Sequence, residues 1–220
     1  MGTLQRRRRE AAARRKAILS AARKRFFRQG YARTTMPQIA KETELAPGTL
    51  YLYFPSKDAL YVELLYEGYD ALATELEQAV ASADSPADQA AALIDAFFTF
   101  ATERPEYFDI VFFLLQREGT FWEQEFPKAL VEGLYARMQR CKSVAADVLR
   151  ADGRTDEEAV NRTVEAVWSM MSGVLFHFRQ DQRLAEMAAE AKRTILAGVF
   201  SAGRPGEQGL TRRRRRYAGD

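Results

Sequence analysis

The chain has 220 residues, a hydrophobic fraction of 47% and a formal net charge of +3. This length accommodates one large domain or two modest ones, with ample apolar residues for a core. Its single cysteine, Cys141, excludes an internal disulfide and a cysteine-based zinc cluster. No apolar run approaches the ~18 residues of a membrane-spanning helix, and no apolar stretch follows the N-terminal arginines as it would in a signal peptide. We therefore expect a soluble, cytoplasmic protein.

The charge is distributed unevenly along the chain. Residues 1–60 contain 14 Lys and Arg against 4 Asp and Glu, whereas residues 61–203 contain 13 against 24. Residues 204–220 are basic again, with 6 against 2. A basic N-terminal region attached to an acidic body favours binding to DNA phosphates, because Lys and Arg release counterions from the duplex.

The first predicted element is a basic N-terminal arm, residues 1–10, which contains the run Arg6 to Arg9. Like charges at this density disfavour regular structure, so we expect the arm to be disordered and to add non-specific affinity for DNA. Insertion into the minor groove is the alternative. A first helix then follows from Glu10 to Gln29 and ends at Gly30, a residue suited to the position just after a helix.

Two short helices are predicted next. The first runs from Met36 to Thr43, with Thr35 as a suitable N-cap and a proline in its first turn. The second begins at Pro47 and ends before Pro55. Two short helices across a tight turn form a helix-turn-helix, which places its second helix in the major groove of DNA. An amphipathic helix pair in an ordinary all-α protein is the alternative.

The second short helix divides into an anchoring face and an outward face. Leu50 and Phe54 are four residues apart and can anchor it to the core. The other residues are then left to contact phosphates or base edges, since hydroxyl groups can donate hydrogen bonds and glycine lets the backbone come close. The outward set is Pro47, Gly48, Thr49, Tyr51 and Tyr53.

Six further helical segments are predicted, and neither strand alternation nor an internal repeat is present. Their ranges are Ser56 to Val80, Pro86 to Thr102, Tyr107 to Leu115, Trp122 to Arg150, Thr155 to Arg179 and Asp181 to Ser201. Thr155 is the predicted cap of its helix, with Glu158 completing a capping box. The pattern predicts an all-α protein of about nine helices, followed by a disordered basic tail, residues 204–220.

The segment from Phe26 to Leu64 resembles the TetR family of bacterial transcriptional regulators. The resemblance rests on family motif positions occupied here by Gly30-Tyr31, Thr34-Thr35, Ile39-Ala40, Gly48, Leu50-Tyr51, Phe54 and Lys57. The rest of the chain matches the family only in its layout of helices. Two positions depart from the family pattern, because Ala46 stands where serine is common and Pro47 where a basic or polar residue is common.

The resemblance implies a homodimer in which each chain has two domains. Residues 11–57 would form the helix-turn-helix DNA-binding domain, and residues 58–203 a helical-bundle domain for ligand binding and dimerisation. The last two helices would form the dimer interface, with apolar rows from Val160 to Phe178 and from Leu184 to Val199; packing within a monomer is the alternative. The implied DNA-contact residues are Thr35, Ala46, Pro47, Gly48, Thr49, Tyr51, Tyr53 and Lys57. Of these, Tyr51, Tyr53 and Lys57 are expected to act on phosphates.

The resemblance also implies that the body senses a small molecule. Its many aromatic residues suit an apolar or aromatic effector, although each aromatic taken alone is better explained by core packing. The candidate ligand-binding residues are Phe97, Phe112, Gln116, Trp122, Arg137, Trp168, Ser172 and His177. We expect a repressor released from a near-palindromic operator by this effector, with no cofactor and no metal.

Two other classes of function are alternatives. An enzyme is disfavoured because one histidine and one cysteine exclude most metal sites and catalytic triads. The acidic run from Asp156 to Glu158 is explained by helix capping. The second alternative is a DNA-binding or architectural regulator without an inducer, which the arginine runs favour. A comparison of affinity for a specific and a random duplex separates that alternative from an operator-specific regulator.

Overall fold

The computed structural model describes residues 3–108, 110 and 127–201. Within these residues every regular element is helical, which confirms the all-α fold class. The elements with both ends described are α1 (Thr3–Arg33), α2 (Met36–Glu42), α3 (Pro47–Tyr53), α4 (Lys57–Ala81), α5 (Pro86–Glu103), α6 (Lys128–Ala151), α7 (Glu157–Phe178), α8 (Leu184–Leu196) and a π-helix, Ala197–Ser201. In this described part of the chain, none of the helices has the length and apolar character needed to cross a membrane.

The chain divides into two compact units. Met1–Glu75 and Thr99–Ser143 form the first unit, and Leu76–Phe98 and Val144–Asp220 form the second. Helices α4, α5 and α6 therefore each contribute residues to both units. The domain boundary after residue 57 remains a prediction based on the family resemblance.

Helix α1 begins earlier than the sequence predicted. The expected disordered arm is wrong for residues 3–9, which form the first two turns of the helix. Arginine and alanine favour helix, and Arg6 forms a 3.5 Å ion pair with Glu10 one turn later. The regular helical backbone of α1 is interrupted at Gly30, where the sequence predicts the helix to end. The φ of Gly30 is 77°, in the left-handed region that glycine tolerates.

The head, residues 3–57, encloses a small apolar core. Ile18 and Phe26 of α1 are buried together with Ile39 of α2 and with Leu50 and Phe54 at α3. The predicted anchoring face of α3 is therefore confirmed. A seven-residue helix such as α2 or α3 is too short to persist alone, so this shared burial holds both in place.

The second unit is centred on the contact of α6 with α7. Ala146 and Leu149 of α6 pack against Val160 and Val164 of α7, and Val199 of the π-helix packs on the same cluster. Farther along α7, Met171 and Leu175 are also buried. Part of the apolar row assigned to a dimer interface, Val160, Val164 and Met171, thus lies in the core of its own chain. That assignment is wrong for these three residues, since each is already buried within its own chain.

Two helix starts test the predicted caps. The Ser56 hydroxyl accepts a hydrogen bond from the Ala59 backbone N–H at 3.0 Å, so the predicted cap of α4 is confirmed. The cap of α7 is Asp156, whose carboxylate accepts from the backbone N–H groups of Glu158 and Ala159. The prediction of Thr155 as the cap is therefore wrong by one residue, because either neighbouring side chain has the chemistry to cap.

Candidate nucleic-acid interface

The turn between α2 and α3 is tight and contains one unusual backbone conformation. Glu44 has a φ of 54°, the only positive φ of a non-glycine residue in the described part of the chain. The Leu45 backbone N–H donates to the Ala40 carbonyl at 2.9 Å, and the Thr43 hydroxyl donates to the Ile39 carbonyl at 3.0 Å. These bonds satisfy the end of α2 within the turn and allow α3 to begin four residues later.

A single arginine of α1 secures the far end of α3. The Arg15 guanidinium donates to the carbonyl of Tyr53 at 3.3 Å and lies 4.3 Å from the centre of the Phe54 ring. It also forms a 2.8 Å ion pair with Glu63 of α4. Arg15 therefore connects three helices at the point where α3 ends. No sequence signal identifies this role, since Arg15 is one of many arginines in α1.

The outward face of α3 is accessible over its whole length. Ala46, Pro47 and Gly48 are exposed, and Thr49 and Tyr53 are half-buried. Tyr51 is exposed to 47% and Leu52, which the sequence analysis did not single out, to 86%. An added Cβ at Gly48 would meet nothing within 4 Å. The residues predicted to face DNA thus share one surface of the head, with Leu52 as its most exposed large apolar side chain.

The start of α2 is fixed by an amide network. The Gln29 side chain donates to the hydroxyl of Thr34 at 3.3 Å and to the Gln38 side-chain oxygen at 3.0 Å. That same Gln38 oxygen accepts from the Thr35 backbone N–H at 3.0 Å. Thr34 is fully buried, whereas Thr35 is exposed at the N-terminus of α2. The helix end that the sequence predicts to meet DNA is therefore held by side chains of α1 and α2.

Lys57 is engaged within the head. Its ammonium donates to the Tyr31 carbonyl at 3.0 Å and lies 4.0 Å from the centre of the Tyr31 ring. Burial lowers the pKa of Lys57 from its ordinary value. The Tyr31 hydroxyl in turn donates to the carboxylate of Asp58. These contacts tie the start of α4 to the residue after the Gly30 bend, and phosphate binding by Lys57 remains a prediction.

The cations of α1 fall into two groups. Arg15, Arg23 and Arg25 each lie within 4.0 Å of a glutamate on another element, respectively Glu63, Glu67 and Glu42. Exposed basic side chains of the head include Arg14, Lys16, Lys24, Arg28 and Lys41. This exposed set adds positive charge to the surface of the head.

The candidate ligand-binding residues lie in different parts of the chain. In the second unit, Phe97 is buried with its ring centre 5.2 Å from that of Trp168, while Ser172 is half-buried and His177 exposed. In the first unit, Arg137 forms a 3.0 Å ion pair with Asp70 and stacks on the Tyr66 ring. The remaining three candidates, Phe112, Gln116 and Trp122, lie outside the described residues.

The second unit also contains a small cavity lined only by apolar side chains. Its walls are Ala90, Leu93, Ile94, Ala145, Val148, Leu149, Val164, Val167, Ile195, Val199 and Phe200. The cavity has a volume of about 40 Å³. Pockets for drug-sized ligands measure roughly 300–1,000 Å³, so this space is too small to hold one. None of the candidate ligand-binding residues lines it.

Comparison with known proteins gives a specific match for the head. Residues 18–64 match the family model for bacterial regulatory proteins of the tetR family. The chain is 39% identical over 69 residues to the uncharacterized HTH-type transcriptional regulator YuxN of Bacillus subtilis (strain 168). The aligned residues make up 31% of this chain and 24% of YuxN. It is 35% identical over 72 residues to the HTH-type transcriptional regulator HbdR of Aromatoleum sp. (strain CIB), and the aligned residues make up 33% of this chain and 31% of HbdR. The match thus spans about a quarter to a third of these relatives.

Solved structures extend the likeness of fold beyond the head. The transcriptional regulator FadR from Bacillus subtilis, crystallised in complex with stearoyl-CoA, superposes with a TM-score of 0.69. The superposition covers 84% of this chain and 98% of that one at 15% sequence identity. At this identity the comparison establishes a shared fold.

Proposed function

We propose that this chain, whose residues 18–64 match the family model for bacterial regulatory proteins of the tetR family, is a transcriptional regulator of that family that binds duplex DNA with its head. The observation that carries the proposal is the outward face of α3. Leu50 and Phe54 bury one side of the helix, Arg15 holds its end, and the opposite side from Ala46 to Leu52 stays exposed. A short, firmly held helix with one accessible face suits the major groove.

Different residues of the head would perform different parts of recognition. Pro47, Gly48 and Thr49 at the start of α3 would face base edges, where exposed backbone can come close to the DNA. Thr35, Ala46, Tyr51, Tyr53 and Lys57 would contact the sugar-phosphate backbone and fix the register of the helix. The exposed cations of α1 and α2 would add affinity that does not depend on sequence.

The DNA proposal is tested with the full-length protein and a duplex that it selects from a randomised library. We expect a near-palindromic duplex, bound roughly 1,000-fold or more tightly than its scrambled counterpart. Gly48→Ala should weaken this binding at least about tenfold, because its new methyl group would stand between the backbone and the base edges. Fluorescence anisotropy at two salt concentrations measures both effects.

The fold is checked separately in the same experiment. An added Cβ meets nothing within 4 Å at Gly48 or at Gly198 of the second unit, so Gly198→Ala is the matched control. Both variants should keep the helical circular dichroism of the wild type, and Gly198→Ala should keep its DNA affinity. Equal affinity of the wild type for selected and scrambled duplexes would overturn operator recognition and leave the architectural alternative.

The protein would act as a homodimer, because one head offers too little surface for a palindromic site. On α7, Met170 and Phe176 remain exposed to 40% and 46%, which is unusual for large apolar side chains. We propose that this exposed side of α7 contacts a second copy. Sedimentation velocity should give a dimer for the wild type and a monomer for Met170→Glu, and a wild-type monomer at micromolar concentration would contradict the proposal.

A small apolar or aromatic effector would release the protein from its operator, making it a repressor. The aromatic pair Phe97 and Trp168 and the fold shared with FadR support this part of the proposal. Ligand coupling of ~1–3 kcal/mol would change DNA affinity about 5- to 150-fold. Stearoyl-CoA and a panel of aromatic carboxylic acids are the probes, with release of the labelled duplex as the measurement. If none of them changes the affinity, the regulator has no inducer of these classes.

A further inference from the structure

Leu52 is the most exposed large apolar residue in the described part of the chain. It is exposed to 86%, whereas Leu50 on the same helix is fully buried. A leucine exposed to water lacks the favourable free energy that its buried neighbour gains. An apolar partner that covered Leu52 would therefore bind favourably. One turn earlier on the same side of α3, Gly48 has no side chain to cover it, and the space above Gly48 is open.

The surroundings of Leu52 identify the kind of partner. Tyr51 beside it is exposed to 47%, and the half-buried Thr49 lies one turn before it, so hydroxyl groups flank the leucine. The head as a whole is strongly basic, with 14 Lys and Arg against 4 Asp and Glu in residues 1–60. A large apolar side chain flanked by hydroxyl groups on a basic surface is complementary to a polar, anionic partner that carries isolated apolar groups.

Duplex DNA has one such group on its base edges. In the major groove the C5-methyl group of thymine is the apolar feature, while the other exposed atoms of the bases are hydrogen-bond donors or acceptors. Leucine has no hydrogen-bonding group and cannot read those atoms. We propose that Leu52 is a specificity-determining residue that packs against a thymine methyl group in each half-site. This inference rests on the proposed DNA-binding function and adds to it one required base and one recognised atom.

The test removes the methyl group from the DNA and the leucine from the protein. In the duplex selected by the full-length protein, each thymine of a half-site is replaced in turn by deoxyuridine, which keeps the base pair and lacks only the C5-methyl group. At one thymine we expect the wild-type affinity to fall roughly 5- to 10-fold. Leu52→Ala should bind the unmodified duplex more weakly by a similar factor and show no further loss with deoxyuridine.

Two control variants separate this contact from other effects. Tyr51→Phe should retain the deoxyuridine penalty, because its ring does not replace the leucine contact. Leu52→Met should retain most of the affinity and of the penalty, since its side chain is apolar and of similar length. Thermal unfolding of all three variants should match the wild type because residue 52 is exposed and Tyr51→Phe removes only a hydroxyl.

The possible outcomes are distinct. If replacing each thymine by deoxyuridine leaves the wild-type affinity unchanged, the proposed role of Leu52 is overturned and the proposed DNA-binding function is not. A penalty of the same size in Leu52→Ala also overturns it, since another residue would then read the methyl group. Failure of the protein to select any duplex overturns the proposed function and this inference together.

Discussion

The head and the packed helices of the second unit are held by different kinds of contact. In the head, side chains cross between elements to bond backbone or amide groups, as Arg15 does to Tyr53 and Lys57 to Tyr31. In the second unit, α6 and α7 meet through an apolar cluster that includes Leu149 and Val160. Short helices need their ends fixed individually, whereas long amphipathic helices are positioned by one continuous stripe.

This difference explains why one side of α3 can stay exposed. The helices α2 and α3 have seven residues each and are set by a few named contacts, so the outward side of α3 is not required for folding. Helix α7 has 22 residues, and one of its sides is buried against its own chain. The side of α3 that stabilises the fold is therefore separate from the side proposed to bind DNA, and the following variants test that separation in order of expected effect.

The largest expected effect is on the buried side of α3. Leu50→Ala should reduce the free energy of unfolding by about 2–5 kcal/mol, because a fully buried leucine leaves a cavity in a small core. Leu52→Ala on the same helix is the control and should stay within about 0.5 kcal/mol of the wild type. Urea unfolding followed by circular dichroism measures both. Similar losses for the two variants would show that the outward side of α3 is also needed for the fold.

The second effect concerns the polar ties of the head. Arg15→Ala removes a hydrogen bond to the Tyr53 carbonyl, a contact with the Phe54 ring and an ion pair with Glu63. We expect a loss of about 1–2 kcal/mol, since the ion pair is partly exposed and contributes little. The neighbouring exposed Arg14 supplies the control, and Arg14→Ala should change stability by less than about 0.5 kcal/mol.

A third variant examines a helix end in the second unit. Asp156→Ala removes the carboxylate that accepts from two backbone N–H groups, and the expected loss is about 1 kcal/mol. Thr155→Ala next to it should have little effect, because the structure assigns the cap to Asp156. Fluorescence of Trp168, which lies on the same helix, follows this unit during urea unfolding when all variants also carry Trp122→Phe. The reverse order of the two effects would restore Thr155 as the cap.

The smallest effect is a gain in stability. Glu44 occupies the left-handed region with a φ of 54°, a conformation that carries a steric cost for residues with a Cβ. Glu44→Gly should therefore raise the free energy of unfolding by about 0.5 kcal/mol. Glu44→Ala keeps the Cβ and should give no gain. A stabilisation of equal size in both variants would point to the glutamate charge as the cause.

The sequence predicted the parts of the head that depend on local chemistry. The prolines at positions 37, 47 and 55 mark the helix starts and the stop, and the spacing of Leu50 and Phe54 gives the buried face of α3. Contacts between distant residues were not predictable in this way. Arg15 lies 38 residues before Tyr53, and Lys57 lies 26 residues after Tyr31, so no local pattern relates either pair.

Elsewhere the sequence indicated which residues are apolar but not what covers them. Val160 and Val164 fit an interface between two chains as well as a contact with α6, because helical periodicity identifies a stripe and not its partner. The start of α1 was misplaced for a related reason. The charge of the arginine run suggested disorder, while the helix propensity of arginine and alanine outweighs that repulsion in the fold.

The pairing of α1 arginines with glutamates affects how strongly the proposed DNA binding by the head would depend on salt concentration. Arg15, Arg23 and Arg25 each already have an acidic neighbour within the protein. A cation paired in this way would displace few of the sodium ions condensed on a DNA duplex, because the glutamate already neutralises most of its charge. The number of ions set free on binding should therefore track the unpaired surface cations and fall short of the total count of basic residues.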